Sequence, residues 1–314
     1  MSDLLIDAVT LRNALPTPGL IVFDVRYDLS DAQQGRRVYA DGHIPGARFL
    51  DQSDDLASQP TGRNGRHPLP DRHALAQLLQ RWGAKPDSQI VVYDANNASF
   101  AARAWWLLRW LGYTDVRILD GGLQAWLDAG GELERGAHSV PAVPGRSPDA
   151  TDAGPTTSGA TSSESAPRAD NLFEAGLDGL NAEPAMPTVS AEQILARSTA
   201  RTRHLVDART PERYRGEHEP IDPVAGRIDG ALNRPIAQNV RDDGRFKSPE
   251  LLRDEFTRLL GKVPGDEVVH YCGSGITACH NVFSMELAGL RGSALYPGSW
   301  SEWCSDPARP VAKG

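Results

Sequence analysis

The residues with the most chemical content are Cys272-Gly273-Ser274-Gly275-Ile276-Thr277, set between the apolar run EVVHY at 267–271 and the helical pattern at 278–290. A cysteine at the end of a buried strand, followed by a small loop that opens a helix, has two physical consequences. Gly273 and Gly275 let backbone N–H groups turn inward as an anion-binding nest, and the helix start adds its positive end. Both favour a thiolate, and a lowered thiol pKa is what makes cysteine a nucleophile near neutral pH. The same nest would hold the outer sulfur of a persulfide. Ser274 and Thr277 add hydroxyl donors, and Thr277 is also placed to cap the helix. A free cysteine is otherwise most often a small buried hydrophobe. The strand end, the two glycines and the helix start weigh against that for Cys272.

An earlier segment has the same layout without the chemistry. QIVVY at 89–93 parallels EVVHY, Asp94 stands where Cys272 does, and ANNASF at 95–100 follows with neither glycine kept. This half is expected to have lost both nucleophile and nest. The parallel extends further: LIVFDVR ends at Arg26 as HLVDAR ends at Arg209, GHIPGA at 42–47 matches GRIDGA at 226–231, and DGGLQAW at 120–126 matches PGSWSEW at 297–303. Asp24 and Asp207 lie 183 residues apart, and Asp94 and Cys272 lie 178 apart, so order and spacing hold along the chain. The pattern is a duplication.

Short β-branched runs alternate with helical patterns in each half. The spacing predicts a helix over 69–83 with Asp71 as its N-cap and Gly83 at its end, a second over 101–112 ending at Gly112, and a strand over 116–119. Such alternation implies an α/β fold, each half a mostly parallel sheet with helices on both faces, and sites beyond the carboxyl ends of the strands. A stretch rich in Ser, Thr, Pro, Ala and Gly separates the halves, giving domains at 1–136 and 188–314 and a flexible linker at 137–187. Within that linker, NLFEAGLDGL at 171–180 is a short patch that could dock weakly on a neighbour.

The chain has 314 residues, with 33 Lys plus Arg against 41 Asp plus Glu, a formal charge of −8. No overall basic field attracts nucleic acid or anionic lipid. There is no run of 18 apolar residues and no export signal at the N-terminus. Three cysteines cannot form a disulfide framework, which suits the cytoplasm. Cys279 and His280 lack the paired spacing of zinc motifs, so neither metal nor other cofactor is expected. Cys279 reads as a buried helix residue or a thiol able to pair with Cys272, Cys304 as inert, and Trp105, Trp106 and Trp110 as core or interface packing.

Taken together, Cys272 and Asp94 at matching positions, GHIPGA and GSWSEW give a sequence that resembles the two-domain rhodanese-type sulfurtransferases over both halves. The loop Cys-Gly-Ser-Gly-x-Thr is similar to the 3-mercaptopyruvate group of that family. Thiosulfate-preferring members carry loop cations suited to a dianion, whereas a neutral Ser274 suits a monoanionic keto acid. The resemblance implies transfer of a sulfane sulfur from 3-mercaptopyruvate, or alternatively thiosulfate, through a Cys272 persulfide. The acceptor would be a thiol, such as thioredoxin or a small thiol, or cyanide, and the enzyme a monomer. It also implies that Arg213, in Arg-Tyr-x-Gly, binds the donor's anionic group with Arg215 as a second candidate, and that His67 works with Ser274 on proton transfer. The Asp expected beside that His falls at Ser53 with Asp54 next to it, and the family's second substrate arginine has no clear equivalent, Asp222 lying near its place. Arg227 and Asp229 are further departures. Two other readings are weaker: a phosphatase would need an Arg where Ala278 stands, and a purely binding module would not need an intact nest.

Overall fold

The computed structural model describes residues 4–138, 183–198 and 204–314. The 171–180 patch and most of the expected linker lie outside these residues. The first half forms a five-stranded sheet of β1 (Leu5–Ile6), β2 (Leu20–Asp24), β3 (Arg48–Phe49), β4 (Gln89–Tyr93) and β5 (Val116–Leu119), in the order β1-β5-β4-β2-β3. The second half forms a four-stranded sheet of β6 (His204–Asp207), β7 (Leu232–Asn233), β8 (Val268–Tyr271) and β9 (Ala294–Leu295), in the order β7-β6-β8-β9. All strand pairs in both sheets are parallel, as strands joined through helices require.

Strand side chains alternate between the two faces. In the first sheet Ile21, Phe23, Ile90 and Val92 pack with helices Arg72–Arg81 and Ala101–Leu111 on one face, while Val22, Val91 and Tyr93 pack with Leu11, Leu123 and Trp126 on the other. The helix expected over 69–83 spans Arg72–Arg81 behind its Asp71 N-cap, and the one expected over 101–112 spans Ala101–Leu111. The Asp71 carboxylate accepts the Ala74 N–H at 2.8 Å, and Gly112 closes the Ala101–Leu111 helix in the left-handed region. Thr277 does not cap: its side chain makes no cap bond to the helix Ala278–Leu287, and its backbone is already helical. A capping side chain works from an extended backbone, so the early turn into the helix removes the option.

The duplicated Asp-x-Arg motifs are latches of the fold. Asp24 accepts from Arg26 on both carboxylate oxygens, and Arg26 Nη2 also donates to Gly42 O at 2.7 Å. Asp207, Arg209 and Gly226 O repeat this arrangement, again at 2.7 Å. The loop at 42–47 is thereby tied to its sheet, as is 226–231.

The two halves share one apolar core that runs through the facing helices Ala101–Leu111 and Ala278–Leu287. Trp105 meets Phe283 edge to face with ring centroids 4.9 Å apart, and Trp106 and Trp110 are also buried. These tryptophans are core and interface residues, as their position on an apolar helix suggests. No helix among the described residues is long and apolar enough to cross a membrane.

Candidate active site

Cys272 follows β8 directly and is 1 % exposed. Its loop is held by its carbonyl oxygens, which are bonded away from the sulfur. Cys272 O accepts the Trp300 N–H and Gly273 O the Ser301 N–H, each at 2.9 Å, from the short helix Ser299–Trp303. Gly275 O accepts from the Cys279 thiol and from Arg103 Nη1, both at 3.3 Å. With the carbonyls so occupied, Gly275 N–H donates to Cys272 Sγ at 3.1 Å. Gly275 has φ +84°, and a Cβ there would lie 2.3 Å from Pro297 O, so this turn requires glycine.

The first half supplies much of the surroundings. Arg66 N–H donates to Ser301 Oγ at 3.0 Å, docking the segment before His67 against the second half. His67 Nδ1 lies 2.9 Å from Ser274 Oγ. Burial, with Arg103 and Arg66 nearby, lowers the His67 pKa to about 4, so the ring is neutral at neutral pH. No hydrogen bond among the described residues links Ser53 or Asp54 to His67. Ser53 lies 2.7 Å from the Tyr27 hydroxyl, and Asp54 is paired with Arg36. The expected Ser–His–Asp arrangement therefore reduces to Ser274 and His67.

Arg213 is at the loop and Arg215 is not brought to it. A Cβ on Gly273 would sit 3.3 and 3.4 Å from the two Nη atoms of Arg213, whereas Arg215 is half-exposed on Glu217 at 2.7 Å. The same Cβ would sit 2.8 Å from Arg66 Nη2, so two guanidinium groups crowd the space beside Gly273. Arg66 was missed by sequence reasoning. Its only local signal is that it adjoins His67. Arg103 was also missed: it is fully buried, bonds the carbonyls of Gly275, His67 and Pro68, and has no carboxylate partner among the described residues.

The neighbours of the loop have other duties. Ile276 is buried in the shared core. His280 Nε2 lies 3.1 Å from Asn97 O and Nδ1 lies 3.2 Å from Asn239 Nδ2, so its nitrogens are engaged within the protein. Burial pushes the Cys279 thiol up to about 12, and it donates to Gly275 O, which makes it a poor partner for thiolate exchange with Cys272. All three cysteines are free and buried. A separate group in the first half, His43, Glu134 and His138, has ligand-type atoms within 4.8 Å of one another, and Glu134 there also accepts the Gly46 N–H.

The Asp94 loop corrects one expectation: the nest is kept. The carboxylate accepts four backbone N–H groups, from Asn96, Ala98, Phe100 and Ala101, at 2.8–3.0 Å. Asn97 and Ala98 adopt φ +54° and +61°, taking the left-handed conformation without glycine.

Comparison with known proteins agrees with this architecture. The profile of the rhodanese-like domain matches residues 7–129 and again 190–306. The chain belongs to the rhodanese family, with two copies of the domain. It is 46% identical over 312 residues to a Pseudomonas aeruginosa protein named "Probable 3-mercaptopyruvate sulfurtransferase", covering 99% of this chain and 98% of the relative. The thiosulfate sulfurtransferase of Cricetulus griseus is 31% identical over 314 residues, covering 98% and 93%. Among solved structures, Escherichia coli SseA, described with the 3-mercaptopyruvate sulfotransferases, superimposes with a TM-score of 0.69 at 28% identity, covering 94% of this chain and 98% of SseA.

Proposed function

We propose that this protein is a sulfurtransferase that carries a sulfane sulfur on Cys272, with 3-mercaptopyruvate as its preferred donor. The observation that carries the reading is Cys272 Sγ on a backbone N–H at 3.1 Å, with guanidinium groups that suit an anionic donor beside the next residue, Gly273. The Cys272 thiolate attacks the donor sulfur and the C–S bond breaks. Its electron pair leaves on carbon as the enolate of pyruvate, which takes a proton. His67 is neutral, and in the tautomer with the proton on Nδ1 it donates to Ser274 Oγ, leaving the Ser274 hydroxyl hydrogen to go to the enolate while the Nδ1 proton follows, so the pair acts as a relay rather than as a ready imidazolium acid. An acceptor thiolate then attacks the outer sulfur of the Cys272 persulfide and releases the Cys272 thiolate.

Gly273, Ser274, Gly275, Ile276 and Thr277 form the loop that holds the persulfide, and Arg213 binds the donor carboxylate. Residues 1–136 are the non-catalytic domain, 137–187 the connecting segment and 188–314 the catalytic domain. Because Arg66 and His67 come from one half and Cys272 from the other, a single chain completes the site, in keeping with a monomer. The acceptor is a reduced thiol, small or carried on a thioredoxin-like protein, with cyanide as a substitute, which fits the cytoplasm. A second reading, thiosulfate as main donor with sulfite leaving, draws on the two guanidinium groups and on relatives of that name.

Mass spectrometry after donor treatment tests the reaction. Cys272 should gain about 32 Da, one sulfur, and Cys272→Ser should lose both adduct and turnover. Full turnover in that variant would refute the assignment.

A further inference from the structure

Asp222 is 9 % exposed and lies between the two guanidinium groups beside the Cys272 loop. It is paired with Arg66 Nη1 through one oxygen and with Arg213 Nη2 at 3.3 Å through the other. Glu219 takes Arg213 Nε and Nη2 at 3.0 and 2.7 Å, and also Arg209 at 3.2 Å. Arg66 Nη2 and Arg213 Nη1 are left without a hydrogen bond among the described residues, and both lie next to Gly273. Two donors thus converge on the space beside the nucleophile, one from each half of the chain, while two carboxylates stand behind them.

From this geometry we propose that Arg66 is the second donor-binding cation of the site, supplied by the non-catalytic half, and that Asp222 sets the charge the donor meets. The proposal rests on the sulfurtransferase reading for its substrates. Arg66 and Arg213 present two convergent N–H groups to a carboxylate or sulfonate. Asp222 and Glu219 offset their charge, so a monoanion such as a keto-acid carboxylate is accommodated and a dianion such as thiosulfate gains less than two bare cations would give it. Asp222 lies near the place where the family resemblance implies a second substrate arginine, and Arg66 reaches the site by a different route across the interface.

Two measurements on the full chain test this. The first needs no sulfur transfer: alkylation rates of Cys272 with anionic iodoacetate and neutral iodoacetamide, expressed as a ratio. Arg66→Gln should lower that ratio about tenfold, and Asp222→Asn should raise it by a similar factor. If Asp222 served only to position Arg66, Asp222→Asn would lower the ratio as Arg66→Gln does, and that result, or no change in either variant, overturns the proposal. The second is kcat/KM for 3-mercaptopyruvate and thiosulfate. Arg66→Gln should raise KM for both donors with kcat less affected, and Asp222→Asn should shift the thiosulfate-to-mercaptopyruvate preference about tenfold toward thiosulfate. A preference unchanged within twofold would overturn the charge-setting role. An enzyme inactive with both donors but with the predicted alkylation ratios would refute the sulfurtransferase reading and leave the cation assignment standing.

Discussion

The Asp94 and Cys272 loops occupy equivalent places in the two sheets but differ in backbone, the first turning through left-handed Asn97 and Ala98 before Ala101, the second through left-handed Gly275 alone before Ala278. Each follows a central strand, leads into a helix and turns backbone N–H toward the residue at the strand end. In the first loop that residue is a carboxylate, and it takes four N–H donors itself. In the second it is a sulfur taking one, from Gly275. The comparison shows that a similar turn can be occupied to very different degrees by the residue it surrounds. A nest filled by its own side chain is a structural plug, whereas a partly filled one beside unpaired guanidinium donors can take a ligand.

The largest expected effect comes from making the second loop copy the first. Cys272→Asp should abolish sulfur transfer, by more than about 10³-fold, while urea unfolding retains a single transition with a midpoint near that of the parent. A variant with substantial turnover would show that the loop does not need the sulfur. Emptying the first loop comes next. Asp94→Ala leaves four buried N–H groups without their acceptor and should cost about 3 kcal/mol of stability in urea unfolding. A loss under about 1 kcal/mol would mean that water or relaxation replaces the carboxylate.

A third variant acts across the interface. Arg103→Met removes the bond to Gly275 O that helps keep the Gly275 N–H on the sulfur. Turnover should drop about 10- to 100-fold, as small misplacements at reacting atoms do, with slower iodoacetamide alkylation of Cys272. Unchanged alkylation would show that the loop keeps its shape unaided.

The smallest effect separates the two sheets. His270 in β8 stands where Val92 stands in β4, is fully buried, and has its pKa lowered to about 3 by burial. The unfolded chain takes up a proton near pH 6.5 that the folded chain refuses, so this histidine's contribution is intact above pH 6.5 and is lost as pH falls below it. His270→Val should therefore lose less stability than the parent between pH 7.5 and 5.5, by about 1 kcal/mol. Equal losses would show that His270 is protonated or hydrated in the folded protein.

Much of this was legible in the sequence because it is local. Apolar runs ending in Asp24, Asp94, Asp207 and Cys272 gave the strands and their carboxyl ends, and Asp71 and Gly112 marked helix limits. The duplication set Cys272 against Asp94 at matching strand ends. Contacts between residues distant in sequence were hidden. Arg66 and Arg103 look like ordinary charged residues until the halves dock and bring them to Gly273 and Gly275. The first nest was hidden for another reason: Asn tolerates a positive φ and Ala pays for it, so the missing glycines concealed a conformation that four hydrogen bonds to Asp94 stabilise.

The contacts across the interface are reciprocal. Arg103, on the first helix, reaches the carbonyl of Gly275 in the second loop, while His280, on the second helix, lies 3.1 Å from the carbonyl of Asn97 in the first. Exchange of equivalent contacts is the signature of a two-fold symmetric interface between identical subunits. Here it is written within one polypeptide, so each copy could change its side chains without losing its counterpart. Covalent linkage thus holds the paired contacts in register although the two strand ends carry different residues, Asp94 in one half and Cys272 in the other.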